Sequence, residues 1–151
     1  MTKRILDSRL PLVVYNPSGV FDTGYLEECH RAGALPVFDT EFFSDDAALA
    51  GVRKLSEAKI IFGVRLDGRR EPLVKALLGS PAANMDAVIM YFDGGLPEKF
   101  DDRGFTGKII LETVDFISDE ALSVMDPQAL IVRGNEAGGR VSRFTSFIIM
   151  Q

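Results

Sequence analysis

The chain has 151 residues, 46% of them hydrophobic, and a net charge of −5 at pH 7. That length fits one domain with a real core; the apolar content excludes disorder, and the acidic balance leaves no basic footprint for nucleic acid. Apolar runs no longer than strands and the lack of a secretory signal argue against a membrane span or export. Cys29 is the sole cysteine and His30 the sole histidine, which excludes an internal disulfide and a Cys/His metal cage, so a soluble cytoplasmic α/β domain is expected.

Leu10 to Tyr15 is a short apolar, β-branched run stopped by Asn16-Pro-Ser-Gly19, which reads as a buried strand and turn. Asp22 to Gly33 reads as a helix capped by Asp22 or Thr23, with Leu26, Cys29 and Gly33 on one face. Cys29 is then a core residue, and His30, off that face, a surface one. Ala34 to Phe38 is a second strand ending at Asp39. Ser44, Asp45 and Asp46 supply a cap and an acidic first turn for a helix through Ala47, Leu49, Val52 and Leu55. Ile60 to Leu66 is a third strand, apolar except for Arg65. A short helix from Glu71 to Leu78 closes at Gly79-Ser-Pro81.

Asp86 to Phe92 is the fourth strand, with Asp93-Gly-Gly95 as its exit. Leu96 to Gly104 is mostly charged, is broken by Pro97, and carries little helical signal. Lys108 to Val114 is strand five, Ser118 opens a helix to about Met125, and Gln128 to Val132 is strand six. An apolar segment, Thr145 to Gln151, comes last.

Strands that are apolar throughout, alternating with helices, read as a parallel sheet. Ligands of such folds bind at the carboxyl ends of the strands, where Asn16, Asp39, Asp67, Asp93, Asp115 and Glu136 fall. Carboxylates in a ring suit magnesium, but aspartate is also a favoured turn and cap residue, and that explanation is preferred. After the sixth strand comes Arg133-Gly-Asn-Glu-Ala-Gly-Gly-Arg140. Its glycines 134, 138 and 139 permit close backbone approach, and its two arginines make anions the natural ligands. By length alone a flavodoxin-like doubly wound sheet is favoured, because a (β/α)8 barrel typically takes ~250 residues.

The order of motifs shifts that choice. Pro11–Gly19, Ala32-Gly-Ala-Leu35, Phe62-Gly-Val-Arg-Leu66, Ile131–Arg140 and Ser146-Phe147 together resemble the nitronate monooxygenase (2-nitropropane dioxygenase-like) family of FMN-dependent barrels. The closest likeness is to the enoyl-reductase versions in polyketide and polyunsaturated fatty acid synthases. The resemblance implies an incomplete TIM barrel of about six strands, a fragment of a larger barrel. It implies FMN as cofactor, with Asn16, Ser18, Arg65, Glu136, Gly138 and Gly139 around it. The flavin would carry the hydride chemistry. Arg140 stands where the family has its histidine. As a permanent cation it cannot act as general base, so it would meet a phosphate or an acyl carrier protein. Arg65 replaces an asparagine, and Pro17-Ser18 a methionine.

A six-stranded fragment would leave open edges, so the remainder of a parent polypeptide or a second copy is expected to complete it. The competing readings are a non-catalytic structural or interaction module derived from that fold, and a small flavodoxin- or receiver-like domain using Asp39 or Asp67. Sequential strand order separates the barrel from the doubly wound sheet.

Overall fold

The computed structural model describes residues 12–92, 104–135 and 141–146. The expectations placed on 10–11, 93–103, 136–140 and 147–151 lie outside the described residues. Ten elements follow in chain order, alternating except between β4 and β5: β1 (Val13–Tyr15), α1 (Thr23–Arg31), β2 (Leu35–Asp39), α2 (Asp45–Glu57), β3 (Phe62–Asp67), α3 (Glu71–Gly79), β4 (Met85–Phe92), β5 (Lys108–Thr113), α4 (Asp119–Met125) and β6 (Ala129–Val132).

Local chemistry sets the helix starts. The Asp22 carboxylate accepts from the Tyr25 N–H at 3.1 Å, and Ser44 Oγ accepts from the Ala47 N–H at 3.3 Å, each satisfying a first-turn donor. In α2 the buried residues Ala48, Gly51, Val52 and Leu55 follow helical spacing. Gly51 is required there: a Cβ would stand 2.6 Å from the Phe38 ring, so its absence lets the helix settle on β2. Gly33 departs from expectation. It lies exposed beyond the end of α1 with φ +86°, a turn position open to glycine and not part of the buried face. Cys29 and His30 are both half-buried.

All six strands are parallel and lie in the order β1-β2-β3-β4-β5-β6, curled into a half-barrel. Among the described strands there is no reversal of order, hence no switch point of the doubly wound kind. Right-handed crossovers in one direction put successive helices on one face, and the packing agrees. The large cluster joins helix residues such as Leu26, Val52, Leu55, Leu73 and Leu77 to the outward strand residues Phe38, Phe62, Val64, Leu66, Val88, Met90 and Leu111. A second cluster draws only on strands: Val37, Ala87, Ile89 and Ile110, with Val13, Tyr15, Leu35 and Ile131 against it.

That second cluster is the barrel interior, and it is layered. Interior residues of a barrel stack in layers contributed by alternate strands. Combined with the stagger of such a barrel, about one residue per strand, the registers assign Val13, Gly63 and Ile110 to one odd-strand layer, and Tyr15, Arg65 and Glu112 to the next toward the carboxyl end. The even strands interleave Val37, Ile89 and Ile131, then Asp39, Tyr91 and Arg133. Apolar layers therefore lie below, and charged ones close the carboxyl-terminal mouth.

Candidate functional site

Arg65 organises that mouth. It projects inward from β3 and is 2% exposed. Its Nε donates to Glu112 Oε2 at 2.7 Å and its Nη2 to Glu112 Oε1 at 3.2 Å, a bidentate pair reaching past β4 to β5. Its Nη1 donates to Asp39 Oδ1 at 3.1 Å and to Glu41 Oε2 at 2.9 Å. The guanidinium also lies over the Tyr91 ring, 4.7 Å from its centroid. Glu112 has no exposed surface and accepts a further bond from Arg133 Nη1 at 2.9 Å. Burial works against the charge on Arg65, but the hydrogen bonds and charges of Glu112 and Asp39 outweigh it and hold its pKa above the ordinary value. Three carboxylates thus meet two guanidinium groups, leaving one negative charge in excess among these five side chains.

Neighbouring groups hold the loops that frame this network. Asn16 is buried at the end of β1; its Nδ2 donates to the carbonyls of Pro17 and Val20, and its Oδ1 accepts from the Asp39 N–H at 2.6 Å. Buried Thr40 donates from Oγ1 to the Arg65 carbonyl at 2.8 Å. Arg70, at the start of α3, donates to the carbonyls of Thr40 and Phe43 and pairs with Asp45, fastening the loop between β2 and α2.

Tyr15 completes the inward odd-strand layer. Burial first, then the charge of Glu112, raises its phenol pKa above the ordinary value, so the hydroxyl stays protonated.

Of the residues assigned from the sequence, the structure brings Asn16 and Arg65 to the mouth but commits the polar groups of both to protein partners. Ser18 is exposed in the turn after β1. Glu136, Gly138, Gly139 and Arg140 lie outside the described residues. Among the strand-end acids, Asp39 joins the network, Asp67 pairs with Arg69, and Asp115 is exposed, accepting from the Phe116 N–H. Among the described residues, no group of three or more potential ligands is placed to hold a metal ion. No described helix is long and apolar enough to cross a membrane.

Sequence reasoning missed Glu112 and Tyr15. A signal for Glu112 was present: a lone carboxylate in an apolar strand run needs a buried partner, and the lone arginine of another such run is Arg65.

An FMN phosphate needs N–H donors and positive charge. In the Arg65 network both guanidinium groups are committed to carboxylates, and its balance of one negative charge opposes an anion. What the described residues offer is the floor and wall of a mouth at the carboxyl ends of the strands.

No family model matches the chain, and neither a curated protein nor a solved structure is found to match it.

Proposed function

We propose that this chain is a segment of an FMN-binding oxidoreductase barrel of the nitronate monooxygenase or enoyl-reductase kind, belonging to a larger synthase-type protein. One observation carries the reading. Six parallel strands run in sequential order, and the glycine-rich stretch Gly134–Arg140 follows directly from the carboxyl end of β6, the end at which such barrels bind ligands. In this reading that stretch, together with strands completing the barrel, supplies the anion contacts that the described mouth lacks. An acyl carrier protein is the proposed bearer of substrate.

The test is titration of FMN into the chain, followed by quenching of flavin fluorescence. Uptake that is abolished by Gly138→Val and Gly139→Val supports the proposal; no quenching at high micromolar FMN refutes cofactor binding by this chain.

A second reading, a non-catalytic interaction module derived from the same fold, draws on a different observation: Arg65 and Asn16 spend their polar groups within the protein. It is the reading that remains if FMN does not bind.

A further inference from the structure

At the carboxyl end of the interior, cations are met by carboxylates: Arg65 reaches Glu112, Asp39 and Glu41, and Arg133 reaches Glu112. Lys108, the first residue of β5, differs. Side chains alternate along a strand. Ile110 belongs to the interior cluster, and Ile109 and Leu111 to the outward one, so Lys108 faces inward. Its neighbour in register on β4 is Ala87, inward and fully buried. Lys108 keeps part of its surface in solvent, yet its Nζ is buried and has no hydrogen-bond partner among the described residues. Lysine ordinarily does the reverse, burying its stem and leaving the ammonium in water. Asp86 does not serve as partner, because it precedes the inward Ala87 and projects to the other face of the sheet. A cavity of about 170 Å³ lies at this amino-terminal end, lined by Ile61, Asn84, Asp86, Thr106 and Gly107, so free space begins one residue along the chain from Lys108.

A buried cation without a counter-charge is costly, and a charge kept at that cost calls for an ion to meet it. We propose that Lys108 anchors a binding site for a small monocarboxylate at the amino-terminal end of the half-barrel interior. One ammonium supplies a single charge and three donors, which matches one carboxylate and leaves a phosphate dianion under-compensated. Carboxylates are also what the fold sets against its other inward cations. Ala87 adds little bulk beside Lys108, and the interior residues above, Val37, Ile89 and Ile110, are apolar, so the rest of the ligand is short and aliphatic. The flexible four-carbon stem lets the ammonium turn to receive the ion. Lys108 and Glu112 stand four residues apart on β5, about 13 Å along the strand. The site is therefore separate from the Arg65 network, goes beyond the flavin reading and does not depend on it.

The experiment uses the chain without flavin, with sodium formate as the probe and sodium chloride at equal ionic strength as the reference. The expected result is a saturable rise of the urea midpoint in formate over chloride. The side-chain carbon resonance of isotope-labelled Lys108, identified by its absence in Lys108→Met, moves over the same concentrations. Lys108→Met removes an unsatisfied donor and so keeps the fold, but it loses the formate-dependent rise. Lys75→Met, at an exposed pair with Glu71, retains that rise. No difference between the two salts at about 10 mM, a rise of equal size in Lys108→Met, or a Lys108 resonance that formate does not move each overturns the proposal. Because FMN plays no part in these measurements, their failure is distinct from failure of the flavin titration.

Discussion

Glu112 holds two guanidinium groups from a position without solvent, so its loss leaves Arg65 buried beside an uncharged partner. Breaking such a pair costs about 3–5 kcal/mol, whereas replacing both members with apolar residues is close to neutral. Glu112→Gln is therefore expected to lower stability by about that amount in urea unfolding. The double variant Arg65→Met/Glu112→Leu should recover most of it; a double variant as unstable as the single would show that the network does more than neutralise itself. Lys108 presents the opposite case. Its Nζ is buried with no hydrogen-bond partner among the described residues. An unsatisfied buried donor costs about 1–3 kcal/mol, so Lys108→Met is expected to raise the urea midpoint. A lowered midpoint would mean that the ammonium has a stabilising role not visible in its contacts. Both residues are charges at or within apolar strand runs, although neither was singled out from the sequence. Which charge was paired and which was not depended on positions 47 residues apart being brought together.

At the scale of elements, helix boundaries follow from side chains close in sequence. Ser44 caps α2, and its removal is worth about 1 kcal/mol. Ser44→Ala should show that loss in thermal unfolding, with Ser44→Asp retaining the parent value; an unchanged Ser44→Ala would indicate that packing of Val52 and Leu55 alone holds the helix. Asp22, Ser44 and the strand runs were legible because capping and apolar patterning act over a few residues. Gly33 was misplaced for a related reason: helical spacing continued one step past Arg31, whereas the chain turned there through a positive φ. Strand ends shifted by one or two residues, as with β3, expected at Ile60–Leu66 and found at Phe62–Asp67. Pairing with neighbours, and not hydropathy, decides where a strand stops.

For the molecule as a whole, β6 is paired only with β5 among the described residues, and the outward face beside it is exposed. Leu130 is 46% exposed, at a cavity of about 420 Å³ lined also by Leu122, Pro127 and Ala129. An open edge with apolar surface promotes association, and lysine is the residue that blunts it. Leu130→Lys should reduce concentration-dependent association in sedimentation velocity and change stability by no more than about 0.5 kcal/mol. Association undiminished by the substitution would place the contact elsewhere. The sequence by itself determined the α/β class, the parallel strands and the four described helices between them, because hydropathy period and caps are local. It also marked the carboxyl ends as the place for ligands. Only the tertiary structure decided that the strands run in sequential order, and that Tyr15, Arg65 and Glu112 share one interior layer. Those facts depend on register and curl, which arise from pairing between distant strands and leave no trace in the spacing along any one of them.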